Sequence, residues 1–218
     1  MLKEKHVEVH PGERLWIVGE PGTGKTLLFR ALAGLWPWGA GNVTRPQGVK
    51  ILYMPRAVYL PPGTLREVLA YPGKAEDFRE QAFSQALSRL GLEHLASLLD
   101  STRRWDQELS EDIQRSLVFA RVVLHAPRWL LIDEVLDSLD SGTLARVTDI
   151  LATDLKETAI VHIGNPPPQD HKGARIVHLI RDPGARQLPR RTARRATAAN
   201  AAGAAPSHGD RRRGGTRR

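Results

Sequence analysis

Eight residues near the start of the chain, Gly19-Glu20-Pro21-Gly22-Thr23-Gly24-Lys25-Thr26, follow the pattern G-x-x-x-x-G-K-[ST] in full. The chemistry of that spacing is phosphate binding. The glycines let the backbone curl until several N–H groups point at phosphate oxygens, and Lys25 adds a positive charge near the β and γ phosphates. Thr26 offers its hydroxyl to Mg²⁺. A helix is expected to begin at Lys25, so that its N-terminus, with Leu27 in the first turn, faces the anion.

A second group lies further on. Leu130-Leu131-Ile132-Asp133-Glu134 is an apolar run ending in two acids. In a protein with a phosphate cradle, the Asp at such a strand tip reaches the Mg²⁺ shell, and the next Glu can polarise an attacking water. Alone the pair says little, since many loops begin with acids. With the cradle upstream, two parts of one machine occur in the expected order.

Positioning these groups requires strands and helices in alternation. Arg14–Val18, Val49–Met54, Trp129–Ile132, Thr158–Ile163 and Arg175–Ile180 read as strands. Lys25–Leu35, Ala75–Leu90, Glu111–His125 and Ser141–Leu155 carry apolar residues at helical spacing. Thr64-Leu65-Arg66-Glu67 has the form of a helix capping box. Such alternation predicts an α/β fold with a mostly parallel sheet flanked by helices. Residues 64–125 show helical patterns and no clear strand, which predicts a helical subdomain inserted into that sheet.

Composition sets the bounds. The chain has 218 residues, 41% hydrophobic and 26% charged, as expected of a globular protein. It has no cysteine, which excludes disulfides and thiolate metal sites. No run of about 18 apolar residues occurs, so no spanning segment is expected. Nor does the N-terminus show the apolar stretch of a secretory signal. The net charge of +8 belongs to the end of the chain, because residues 181–218 hold eleven arginines against Asp182 and Asp210. Residues 182–218 have almost no large apolar side chains and are expected to be a disordered, solvated tail, leaving residues 1–181 as the folded domain. Nucleic acid is not expected as a partner.

Between the two sites lies Trp105-Asp106-Gln107-Glu108-Leu109-Ser110-Glu111-Asp112-Ile113-Gln114, followed by Ser116-Leu117-Val118-Phe119-Ala120-Arg121. This resembles the signature region of the ATP-binding cassette (ABC) ATPases, Leu-Ser-Gly-Gly-Gln/Glu and a helix with Ala-Arg. Asp133-Glu134-Val135-Leu136-Asp137-Ser138-Leu139-Asp140 is similar to that family's Walker B and D-loop run, D-E-x-T-S-A-L-D. Gly34-Leu35-Trp36-Pro37, Pro61-Pro62-Gly63-Thr64-Leu65-Arg66-Glu67 and Tyr71-Pro72 resemble the subgroup of peroxisomal acyl-CoA transporters and bacterial vitamin B12 and peptide transporters.

The resemblance implies a P-loop NTPase fold, RecA-like, with ATP and Mg²⁺ as ligands. It implies an ATPase in which Gly19 through Leu27 bind nucleotide and Thr26 and Asp133 serve the metal. Glu134 would be catalytic, and Ser138, Leu139 and Asp140 would form the D-loop. Leu109, Ser110, Glu111 and Asp112 would face the ATP of a second cassette. A transmembrane permease on a separate chain would dock near Arg56–Tyr71, placing the protein in the cytoplasm at the inner face of the plasma membrane.

Four departures accompany it. Glu111 and Asp112 replace the signature glycines. Arg56 stands at the Q-loop glutamine, a position associated with Mg²⁺, where a guanidinium cannot ligate metal. Asn165 stands at the switch histidine and would be catalytic with Glu134; it can hydrogen-bond a γ-phosphate but cannot titrate near neutral pH, and His171, six residues on, is read as a surface histidine rather than its substitute. A further strand upstream of Arg14–Val18 and the aromatic residue that stacks on adenine are expected to be missing. A degenerate cassette that binds nucleotide and hydrolyses it weakly is the alternative.

Overall fold

The structure is a computed structural model that describes residues 1–165 and 174–181. His171 and the expected tail, residues 182–218, lie outside the described residues.

Five strands form one sheet: β1 (Arg14–Val18), β2 (Ile51–Met54), β5 (Trp129–Asp133), β6 (Ala159–Gly164) and β7 (Arg175–His178). Their order is β2-β5-β6-β1-β7, and every pairing is parallel. The expected parallel sheet is therefore present. Inner strands β5 and β6 are buried on both faces and are apolar apart from Asp133 at the tip of β5 and His162 within β6. On β1 the side chains alternate between two cores. Leu15 and Ile17 pack with Phe29 of α1 (Lys25–Leu32), while Trp16 and Val18 join the larger cluster on the other face. That cluster includes Leu117 of α5 (Glu111–His125) and Val147 of α6 (Ser141–Ala152).

The helical subdomain is built on α2 (Leu65–Ala70), α3 (Glu80–Arg89), the short α4 (Trp105–Glu108) and α5. The capping box is formed: Glu67 N donates to Thr64 Oγ1 at 3.2 Å, and Thr64 N donates to Glu67 Oε2 at 2.7 Å. The Thr64 N–H, and next the Thr64 hydroxyl, both donating to Glu67 Oε2, hold the Glu67 carboxyl below its ordinary range.

Several boundaries differ from expectation. Residues 64–125 do contain strand structure, a two-residue ladder of β3 (Gly63–Thr64) and β4 (Thr102–Arg103), too short to leave a periodic signal. Trp105 secures it by donating Nε1–H to Gly63 O at 3.0 Å. The expected helix Ala75–Leu90 is broken: a 3-10 turn at Ala75–Asp77 is followed by extended Phe78, and α3 starts only at Glu80. Phe78 leaves the helical path to set its ring 4.9 Å from His125 and 6.0 Å from Phe83. Helix α1 stops at Leu32, because Gly34 at φ 79 turns the chain and Leu35 N bonds back to Arg30 O. Helix α6 ends at Ala152, three residues early.

Candidate active site

A parallel sheet sends all its strands' carboxyl ends to one rim, and ligands of such sheets bind there. Four loops meet on this rim. The loop after β1 is Gly19–Gly24. Gly22 at φ 83 and Gly24 at φ 94 adopt left-handed backbone that side chains disfavour. A Cβ on Gly19 would lie 2.7 Å from both Leu179 O and Thr23 Oγ1, so only glycine fits. Thr23 donates both its N–H and its hydroxyl to Glu20 O, closing the turn. Gly24 is the N-cap of α1, whose first-turn N–H groups have no acceptor within the helix. They form a ready anion site.

Lys25 Nζ donates to Gly19 O at 3.0 Å and sits 3.2 Å from Glu134 Oε1. The nucleophile-activating candidate thus meets the cradle lysine directly. Glu134 takes φ 54, and its N–H donates to Ile163 O at 2.8 Å, tying the end of β5 to β6. Its second oxygen is 3.1 Å from Arg56 Nη1. Arg56 follows β2, which pairs Met54 with Ile132 in parallel register, so two residues further on Arg56 arrives beside Glu134. Its guanidinium therefore serves Glu134 and offers nothing to a metal.

Asp133 is 1% exposed, and its Oδ1 is buried without a hydrogen-bond partner among the described residues. Burial pushes its carboxyl above the usual range, and Glu134 adds to that. An orphaned buried carboxylate oxygen beside a phosphate cradle fits a divalent cation, with the Thr26 hydroxyl as a second donor. Among the described residues no three acidic or histidine side chains cluster as a metal cage. Mg²⁺ is usually held by one or two protein groups together with substrate phosphates and water.

Asn165 follows β6. Its backbone N–H donates to Asp137 Oδ2 at 3.2 Å, and burial raises the Asp137 carboxyl above its ordinary range. Asp137 was not among the candidate residues. Its signal was an acid where the resembled motif has serine. Gly164 lies under this contact, since a Cβ there would meet His162 Cε1 at 2.6 Å and Asp137 Oδ2 at 3.0 Å.

Ser138 hydrogen-bonds Val135 O, Leu139 is half-buried, and Asp140 caps α6, accepting N–H bonds from Gly142 and Thr143. Bonds from Thr143 hold the Asp140 carboxyl below the usual range. The remaining candidates stand apart. Leu109 O accepts from Gln114 Nε2, Ser110 is an exposed N-cap of α5, and Glu111 and Asp112 lie in its first turn. Among the described residues no hydrogen bond or ion pair joins these four to Lys25 or Glu134. Both acids are paired on their own helix, at 2.6 and 2.8 Å from Arg115.

A parallel α/β sheet, a glycine cradle capping a helix and an Asp-Glu strand tip together define a P-loop NTPase domain. The chain belongs to the ABC transporter family, whose pattern residues 2–137 match. It is 33% identical over 165 residues to an uncharacterized ABC transporter ATP-binding protein of Haemophilus influenzae, covering 76% of this chain and 28% of that protein. It is 35% identical over 170 residues to one of Synechocystis, covering 77% and 25%. To human ATP-binding cassette sub-family D member 3 it is 32% identical over 142 residues, covering 62% and 22%. The chain thus spans about a quarter of the length of the curated relatives it matches.

Proposed function

We propose that this chain binds and hydrolyses ATP as the cassette of an ABC transporter, driving a membrane domain through ATP-dependent pairing with a second cassette. The observation that carries this is the meeting of Lys25 and Glu134 at 3.2 Å over the cradle, with Asp133 buried beside them. Lys25 and the α1 N-terminus bind phosphate oxygens. Glu134, on the strand tip, is placed to take a proton from the attacking water as it adds to the γ-phosphorus. Thr26 and Asp133 would hold Mg²⁺, which when bound neutralises charge on the phosphates. Because Asp133 and Glu134 are both present, the weakly hydrolysing alternative is not favoured.

The membrane partner would meet the loop around Tyr59–Pro62. That loop is anchored by buried Arg121, which donates to Tyr59 O and Val68 O. Tyr59 and Tyr71 remain exposed, with ring centroids 5.5 Å apart. Beside them a cavity of about 220 Å³ opens between β2 and α5. No helix among the described residues is long and apolar enough to cross a membrane.

ATP turnover tests the proposal. We expect turnover that rises with protein concentration, is abolished in Glu134→Gln and loses its nucleotide binding in Lys25→Ala. Wild-type turnover no higher than the Glu134→Gln background, at concentrations where dimers form, overturns it.

A further inference from the structure

The Glu134 carboxylate bridges two cations. One oxygen is 3.2 Å from Lys25 Nζ, the other 3.1 Å from Arg56 Nη1. Lys25 is the cradle cation, which faces the β and γ phosphates. Arg56 is therefore only one carboxylate width away from the point where a third phosphate arrives. Its side chain is 75% exposed, so it is free to swing, whereas Lys25 is 11% exposed and fixed by Gly19 O. A phosphoryl group resembles a carboxylate in presenting two oxygens to a guanidinium, and it carries more charge. The β2–β5 register makes the placement a property of the fold and not of a wandering surface side chain.

We propose that Arg56 recognises the γ-phosphate of the nucleotide, and that Glu134 occupies the γ-phosphate's place between Lys25 and Arg56 until nucleotide binds. On binding, Arg56 exchanges the carboxylate for the phosphoryl oxygens. Glu134 is then released from both cations, free to face water. Nucleoside diphosphate leaves the Arg56–Glu134 pair intact. Arg56 thus sets the preference for triphosphate over diphosphate, and does so from the same chain as the cradle. The inference rests on the proposed nucleotide binding.

Calorimetric titration of the full chain with ADP and with the non-hydrolysable triphosphate AMP-PNP, both with Mg²⁺, separates the two claims. Arg56→Ala is expected to weaken AMP-PNP about tenfold, to leave ADP affinity within about twofold, and to be partly rescued in Arg56→Lys, which restores the charge without the fork. Equal weakening of both nucleotides, or of neither, shows a surface ion pair only and overturns the role of Arg56. Binding of neither nucleotide by the wild type, or binding unchanged in Lys25→Ala, instead overturns the cassette function itself.

Discussion

His125 closes α5 with its ring inside the helical subdomain, Nε2 2.8 Å from Ala70 O. A carbonyl only accepts, so in the neutral ring the proton sits on Nε2. Burial, and next the charge of Lys50, lower its pKa to about 4. An unfolded histidine titrates near 6.5. Between about pH 6.5 and 4 the unfolded chain takes up a proton that the folded chain refuses, so stability falls as pH drops through that window. The loss is about 2 kcal/mol, after discounting for partial solvent access. His125→Gln keeps a donor at the Nε2 position for Ala70 O and does not titrate. Urea unfolding at pH 7 and pH 4 should show the wild type losing about that much more than the variant. At this scale the sequence was partly legible. Lys25 and Glu134 were readable because fixed spacing and a strand tip announce them. The Arg56–Glu134 pair was not, since 78 residues separate its members and only the β2–β5 register joins them. Nor was the pairing of Glu111 and Asp112 with Arg115 foreseen, although their spacing of four and three residues on one helix held the clue.

Elements were legible where periodicity was long or a cap was spelled out. The strands β1, β5 and β6, and helix α5, stand close to where their patterns placed them. The helix expected at Ala75–Leu90 failed because the period survived while Phe78 was claimed by a tertiary contact with His125. The capping box of α2 was read directly, and it makes a prediction. Thr64→Ala removes the acceptor for Glu67 N and should cost about 1 kcal/mol. Chemical denaturation would register this as a lower midpoint with an unchanged slope. Because Thr64 also ends β3, where it pairs with Thr102, α2 and the ladder before it should loosen together, visible as faster amide exchange at Leu65 to Glu67.

Under the proposed function, the rim supplies one half of a paired site and the first turn of α5 the other. If a second cassette supplies the facing half, Glu111 and Asp112 approach its nucleotide phosphates, and Arg115 keeps that face from being strongly negative. Arg115→Ala, placed in the Glu134→Gln background that prevents turnover, should weaken ATP-dependent dimerisation about fivefold, as expected from roughly 1 kcal/mol of uncompensated repulsion. Adding Glu111→Gln and Asp112→Asn should restore it. Sedimentation with and without ATP measures both. Family membership was readable from several motifs in order. The match covers 28% of the Haemophilus protein, so the rest of that relative is no guide to this chain.

The parallel order of β2-β5-β6-β1-β7 has a consequence for how such a chain diversifies. Arg56, Asp137 and Asn165 all sit just beyond the strands, outside the apolar runs that hold the sheet together. Each of these three departures from the resembled pattern is therefore a change of tool without a change of handle. Replacements at these three positions should leave the melting temperature near that of the parent while altering what the rim does. Stability and chemistry can drift independently in this architecture, one loop at a time.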